Sequence, residues 1–246
     1  MLCALCAAIV TTSLAAAGCS RAAGFFRQYE YEEEMYLSLD GTATVYVNAS
    51  IPALNALRGT SFDASPAARV DRAGVRAYFS SPQTHVAWVR TSRRNGRRFV
   101  HVRVEVDDVR RLGEAAPFAW SRYGLQPRAE LMQYLQNVGA PAGKAVGNVG
   151  WTGRELVAFR LHLPSKIAWH NTGTDVRRGN ILVWEQPLRD RLNGVPLAME
   201  ARMETQSILY RTLWLFGMTF VAVAAAFAAV IWWVLRRGGA SHAEPV

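Results

Sequence analysis

The chain has 246 residues, half of them hydrophobic, which is enough for one domain with its own core. Its formal net charge of +9 favours anionic partners such as lipid headgroups, acidic glycans or nucleic acid. All three cysteines, Cys3, Cys6 and Cys19, precede residue 20. This distribution excludes an internal disulfide and a thiolate metal site from the rest of the chain.

The N-terminal segment has the character of a secretory signal. Residues 2–17 form one apolar run that ends in small residues. The stretch AAGC, residues 16–19, resembles a lipobox, the processing site of bacterial lipoproteins, in which the cysteine sulfur carries the lipid. We therefore expect a lipoprotein-type signal peptide at residues 1–18, with Cys19 as the lipidated N-terminus of the mature chain. A plain signal peptide or an uncleaved first anchor is the alternative.

A hairpin is the first element predicted for the exported domain, which we place at residues 24–206. Asp40-Gly41 is a favoured two-residue turn between two alternating segments. Glu30, Glu32 and Glu34 share one face of the first strand. They could form a carboxylate cluster for catalysis or calcium, but no calcium loop accompanies them, so we interpret them as a solvated strand face.

Two helices and a second hairpin follow. PALNALRG, residues 52–59, predicts a short helix, and SPAARVDRAGVRAYF, residues 65–79, predicts a longer one. The second hairpin turns at Asn95-Gly96, a type I′ signal. Five arginines crowd its tip: Arg90, Arg93, Arg94, Arg97 and Arg98. They indicate either a patch for an anionic lipid or glycan, or a solvated loop tip.

The remaining segments before the C-terminal helix predict mainly strands. Residues 107–113 favour one or two helical turns, whereas residues 129–138 are compatible with either helix or strand. Further strands are predicted within residues 118–125, 153–164, 179–187 and 196–204. The expected fold is α+β, with a curved antiparallel sheet of six or more strands and one or two packed helices.

The C-terminal hydrophobic segment predicts a transmembrane helix. Residues 213–235 contain no charge, and as a helix they reach about 34 Å, enough to span the hydrocarbon core. Trp214 lies near one end, and Trp232 and Trp233 lie near the other. Arg236 and Arg237 follow at once, and the positive-inside rule places them in the cytoplasm. We therefore expect a helix at residues 209–235, a cytoplasmic tail at residues 236–246 and the domain outside the cytoplasm of a bacterial cell.

The segment at residues 163–185 resembles the C-terminal half of the LppM-type domain, a family of bacterial envelope proteins. Members share a strand ending in proline, a polar loop with asparagine, then Gly-Asn and a strand with tryptophan. The matching positions here are Pro164, Ile167, Asn171, Gly179, Asn180 and Trp184. The resemblance implies a Bet v 1-like fold, in which a curved sheet and helices can enclose an apolar cavity, and a link to envelope lipids or glycolipids. It implies no catalytic residues.

The chain lacks the common enzyme motifs, including G-x-S-x-G, H-E-x-x-H and the P-loop. None of the domain's histidines, His85, His101, His162 and His170, has a partner at metal-ligand spacing. We therefore predict a non-catalytic, membrane-anchored binding module for a lipid or amphipathic envelope component. It needs no cofactor or metal, and an extracytoplasmic location argues against nucleic acid. The alternatives are a structural protein that docks an envelope partner and an enzyme of unfamiliar type.

Overall fold

Two β-sheets packed face to face form the body of the protein in a computed structural model, which describes residues 27–173 and 180–238. The first sheet has six strands in the order β3-β4-β2-β1-β7-β9, and the second has four in the order β5-β6-β10-β8. The strands are β1 (Tyr29–Leu37), β2 (Ala43–Ser50), β3 (Thr84–Arg94), β4 (Arg97–Val106), β5 (Ser121–Arg128), β6 (Leu131–Val138), β7 (Leu156–His162), β8 (Ser165–His170), β9 (Ile181–Pro187) and β10 (Leu197–Ser207).

The α+β class and the six-stranded sheet confirm the predicted fold class. All but one of the strand pairs are antiparallel, and the exception is the parallel pair of β1 and β7. These two strands are far apart in sequence, so the long connection between them allows β7 to arrive in the same direction as β1. The other four strands do not extend this sheet but form a second one. Residues 129–138, compatible with helix or strand from sequence, contain β6.

Both predicted hairpins form, but the first turn is longer than the two residues predicted, because Ser38 pairs with Thr42 across Leu39, Asp40 and Gly41. The Asp40 carboxylate accepts a hydrogen bond from the Thr42 amide at 2.9 Å, which closes the first turn. Asn95 and Gly96 both have positive φ, 50° and 74°, as a type I′ turn requires. Each turn thus fixes the register of the strands on either side of it.

The helices are short except for the last one. They are α1 (Ile51–Arg58), α2 (Arg72–Phe79), α3 (Leu188–Leu192) and α4 (Ile208–Gly238), and two 3₁₀ turns cover Val109–Glu114 and Ala116–Phe118. The helix predicted over residues 65–79 begins only at Arg72. The cause is Asp71, whose carboxylate accepts from the Gly74 amide at 2.9 Å and so caps the helix at that point.

The core lies between the sheets, because each sheet turns one face inward. Alternate residues of β2 and β4, such as Val45, Val47 and Val102, are fully buried. The second sheet contributes side chains such as Tyr134 and Met203 to the same cluster. The layer opposite the six-stranded sheet therefore includes a sheet as well as short helices, which differs from the sheet-and-helix arrangement that the family resemblance implied.

Candidate binding surfaces

The five arginines of the second hairpin lie on two faces of that hairpin. In the β3–β4 register, Arg93 is opposite Arg98, and Arg94 is opposite Arg97. Directly opposed residues share a face. Arg93 and Arg98 therefore lie on the side of the core valines of β4, while Arg90, Arg94 and Arg97 lie on the outer side.

Arg97 differs from the predicted tip group because it is buried in an ion pair. Its Nη2 and Nε donate to Oε1 of Glu30 at 2.9 and 3.2 Å. Its Nη1 donates to the carbonyl oxygens of Gly150 and Val149 at 3.1 and 3.3 Å. Glu30 has no exposed surface. Arg97 therefore does not belong to an exposed anion patch. Glu30, predicted to lie on a solvated face, is buried instead.

The other four arginines remain accessible at the hairpin. Arg94 donates to the Tyr29 carbonyl at 2.6 Å, and its guanidinium lies 4.4 Å from the centroid of the Phe99 ring. Arg98 is half-buried and donates to the carbonyl of Pro66 at 3.2 Å. The remaining two are exposed. We name this group the basic tip: Arg90, Arg93, Arg94 and Arg98.

The long C-terminal helix leaves the domain beside one end of the six-stranded sheet. β10 ends at Ser207, which lies opposite Ser165, and α4 begins at the next residue. Ser165 opens β8, and His162 closes β7 only a short connection earlier. The end of the six-stranded sheet that carries His162 is therefore its helix-proximal end.

The basic tip lies at the opposite end of that sheet. In the register of the sheet, Tyr36 of β1 lies opposite both His162 of β7 and Thr44 of β2. Thr44 in turn lies opposite Glu105 of β4, so Glu105 is level with His162 at the helix-proximal end. Glu105 is the penultimate residue of β4, whereas the tip joins the start of this strand. Since β4 has ten residues and rises about 3.4 Å per residue, it separates the tip from the helix-proximal end by roughly 30 Å.

The outer face of the six-stranded sheet is paired and partly covered, so the solvated-face interpretation is wrong for Glu32 and Glu34 as well. Glu32 lies 3.0 Å from the Arg160 guanidinium, and Glu34 lies 2.6 Å from Nε2 of His162. Burial raises the pKa of Glu32. The hydrogen bond with His162 lowers the pKa of Glu34.

Sequence reasoning missed a row of aromatic side chains on this outer face. The row consists of His162, Tyr36, Tyr46 and Trp88, and we call it the aromatic row. Each ring contacts the next, with centroid distances of 3.9, 5.6 and 6.0 Å. The available signal was strand alternation, which puts Tyr46 on the face of β2 opposite Val45 and Val47. The cross-strand register that aligns the four rings was not available from sequence.

A polar network is buried between the two sheets around Glu33. Its carboxylate accepts from the hydroxyls of Tyr31 and Tyr123 at 3.0 and 3.1 Å, and from Nη2 of Arg58 at 3.1 Å. The Arg58 guanidinium also lies 3.3 Å from the centroid of the Trp120 ring. Burial raises the pKa of Tyr31 well above its usual range. The network joins β1, α1 and β5, which makes it a structural clamp between the sheets.

The interior beside this network is closely packed. A cavity of about 10 Å³ remains between the sheets, lined by residues that include Met35, Tyr134 and Phe159. A space of this size holds about one water molecule. An acyl chain does not fit in this cavity.

Histidines and metal-ligating groups make no cluster in the part of the chain that the structure describes. There, no group of three or more His, Cys, Asp or Glu side chains could hold a metal ion. His101 lies 2.8 Å from both Oδ1 of Asn48 and Oγ of Ser92, and burial lowers its pKa. The predicted signal peptide and Cys19 fall outside the described residues.

Helix α4 matches the predicted transmembrane segment in position and character. Its apolar stretch, Thr212–Arg237, has a mean hydropathy of 2.3, and its most apolar part is not buried against the domain. The Arg236 guanidinium lies 4.1 Å from the centroid of the Trp232 ring, and the Arg237 guanidinium lies 4.1 Å from that of Trp233. The helix is long and apolar enough to cross a membrane.

The described residues thus define an α+β protein whose two-sheet domain continues directly into a single membrane-length helix. The chain is similar to the folded domain of LppM from Mycobacterium tuberculosis, solved by NMR, with 14% identity and a TM-score of 0.41. The similarity covers 75% of this chain and 95% of that chain. No protein-family model and no curated protein matches the sequence. A similarity of this degree assigns neither a family nor a function.

Proposed function

We propose that the chain is a membrane-anchored, extracytoplasmic and non-catalytic binding module for an anionic lipid or amphipathic component of the bacterial cell envelope. The observation that carries this proposal is the position of the basic tip. Arg93, Arg94 and Arg98 lie at the start of β4, roughly 30 Å along this strand from the helix-proximal end, and Arg90 lies about halfway, opposite His101. The module presents its positive charge to partners beyond its own membrane surface.

The proposed orientation follows from the charges at the end of α4. Arg236 and Arg237 lie in the last turn of the helix and stay in the cytoplasm by the positive-inside rule. The two-sheet domain then lies on the other side of the membrane. A lipid on Cys19 adds a second anchor to the same chain.

The cavity between the sheets does not offer a site for the apolar part of a ligand. The space of about 10 Å³ between the sheets is too small for an acyl chain. The basic tip instead engages the charged part of an amphipathic ligand through guanidinium groups, which bind phosphate and carboxylate oxygens in pairs.

Binding of vesicles in trans tests this function. The full chain is inserted in phosphatidylcholine nanodiscs, and its affinity is measured for phosphatidylcholine vesicles with and without phosphatidylglycerol. Each basic residue near an anionic surface contributes about 1 kcal/mol. The double variant Arg93→Gln/Arg94→Gln is therefore expected to lose about thirtyfold in affinity for the anionic vesicles.

A matched pair of arginines outside the tip supplies the control. Arg110→Gln/Arg111→Gln removes the same charge from exposed residues that pair with Asp108 and Glu114. This control should bind anionic vesicles like the unaltered chain. Equal losses in both double variants, or equal binding of neutral and anionic vesicles, would mean that the tip has no specific role.

A second candidate function is the docking of an envelope protein. The favouring observation is the edge strand β8, on which Trp169 is 43% exposed and lies 4.7 Å from the Arg202 guanidinium. An edge strand offers unpaired backbone groups to an added strand. If Trp169→Ala abolishes capture of a specific partner while the tip variant does not, docking is the better description.

A further inference from the structure

We propose that the outer face of the six-stranded sheet is a binding platform for a neutral glycan, centred on the aromatic row. The row itself contains no residue of the basic tip, although Arg90 and Arg94 lie on the same side of the sheet. The row crosses the sheet from β7 to β3, over β1, β2 and β4. Its centroid distances of 3.9, 5.6 and 6.0 Å keep the two outermost rings within roughly 16 Å of each other, which suits a short oligosaccharide.

The rings of the row are accessible and lie outside the core. Tyr36 is 43% exposed, and Tyr46 and Trp88 are half-buried. Tyr36 and His162 are stacked with an interplanar angle of 17°, and Tyr36 meets Tyr46 edge to face at 72°. The contacts hold each ring in place before a ligand arrives, which reduces the entropy lost on binding.

Polar side chains flank the row in fixed positions. Arg103 pairs with Glu105 at 2.8 Å, and Arg160 pairs with Glu32 at 3.0 Å. The hydroxyl of Tyr36 donates to Glu34 at 3.1 Å. Carboxylates and guanidinium groups present two acceptors or several donors in one plane, an arrangement that can bind neighbouring hydroxyl groups.

The charges beside the aromatic row are paired within the face. Glu32 pairs with Arg160, Glu34 with His162 and Glu105 with Arg103. Burial lowers the pKa of the neighbouring His101. Paired charges beside the row favour a ligand without net charge, whereas the arginines of the basic tip favour an anion.

The combination of rings and hydrogen-bonding groups fits a sugar better than a protein. A pyranose carries C–H bonds on its faces and hydroxyl groups around its rim. The negative faces of aromatic rings attract the C–H bonds, and the flanking polar groups bind the hydroxyls. The outward positions of β1, β2 and β4 between the levels of Tyr36 and Glu32 carry no aliphatic side chain. On these strands the rings are therefore surrounded by polar rather than aliphatic side chains.

Titration of the full chain in nanodiscs with soluble neutral oligosaccharides tests the platform. The probes are maltohexaose, cellohexaose, mannohexaose and chitohexaose. Tryptophans are labelled with 5-fluorotryptophan, and the ¹⁹F resonance of Trp88 is assigned with Trp88→Phe. At least one probe should shift this resonance and leave that of Trp169 unchanged. If none of the four probes shifts it at saturating concentration, the proposal is wrong.

Matched variants locate the binding. Tyr36→Ala should weaken the affinity for the bound probe about tenfold, because one ring contact is lost. Trp169→Ala is the control, since Trp169 is equally exposed, at 43%, but lies on the other sheet. Glu34→Gln, which keeps the ring, covers the case in which Tyr36→Ala fails to fold.

Unaltered affinity in folded Tyr36→Ala, or an equal loss in Trp169→Ala, would overturn the proposal. The basic-tip variant Arg93→Gln/Arg94→Gln should retain sugar binding. Failure of sugar binding with intact vesicle binding therefore contradicts the platform alone, and the reverse result contradicts the tip alone.

Discussion

Replacement of Arg97 by alanine tests whether this residue is structural. The substitution leaves the carboxylate of Glu30 buried, and among the described residues its remaining side-chain donors are Nε2 of Gln28 at 3.2 Å and Nε1 of Trp151 at 3.4 Å. It also frees the carbonyls of Val149 and Gly150. Removing one partner of a buried ion pair costs about 3–5 kcal/mol. For a domain whose total stability is roughly 5–15 kcal/mol, this is a large share.

The assay is urea unfolding of the full chain in nanodiscs, followed by tryptophan fluorescence. Arg97→Ala should lower the unfolding midpoint strongly without changing the slope. Arg93→Ala, on the same hairpin but exposed, should stay within about 0.5 kcal/mol of the unaltered chain.

A double replacement separates the charge from the packing. Arg97→Met keeps most of the aliphatic stem, and Glu30→Gln removes the charge that it would leave behind. The double variant should recover much of the stability lost in Arg97→Met, because neither charge remains buried. If Arg97→Ala lowers the free energy of unfolding by less than about 1 kcal/mol, the buried ion pair does not stabilise the domain as expected. Arg97 would then be counted with the basic tip.

Three further predictions concern pH, processing and topology. The pKa of Glu34 is below its ordinary value of 4.5, chiefly through its hydrogen bond with His162. Its contribution to stability is therefore complete above that pH and is lost as the pH falls below it, so the urea midpoint should drop on acidification less in His162→Ala than in the unaltered chain. The intact mass of the membrane-extracted chain should show diacylglycerol on Cys19 and no residues 1–18, and Cys19→Ser should abolish both changes. A fluorescent protein fused to the C-terminus should fluoresce in cells, because Arg236 and Arg237 keep this end in the cytoplasm, and a dark, exported fusion would reverse the orientation.

The elements that sequence predicted well depend on neighbouring residues only. Asn95-Gly96 specifies a type I′ turn through its own backbone preferences, and the hairpin forms where this turn requires it. The helix boundary was less accurate, because the helix predicted over residues 65–79 begins only at Arg72, after the Asp71 cap. Strand β8 was missed, since Ser165–His170 has only six residues.

The surfaces were harder to predict because they depend on distant partners. Strand alternation correctly placed Glu30, Glu32 and Glu34 on one face but did not reveal what covers it. Glu30 meets Arg97 across 67 residues, and Glu34 meets His162 across 128 residues. The same limit applies to the basic tip, where five arginines close in sequence divide between two faces and one of them is buried.

The sequence by itself determined the alternating strands, both hairpin turns and the membrane-length helix, because each depends on hydrophobic pattern or backbone preference over a few neighbouring residues. The tertiary structure decided which charges are buried, which rings line up and which end of the domain faces away from the helix. These properties follow from strand order and register, above all the parallel pairing of β1 with β7 and the antiparallel pairing of β10 with β8. Register is a contact between distant segments, and no local pattern in this chain encodes it.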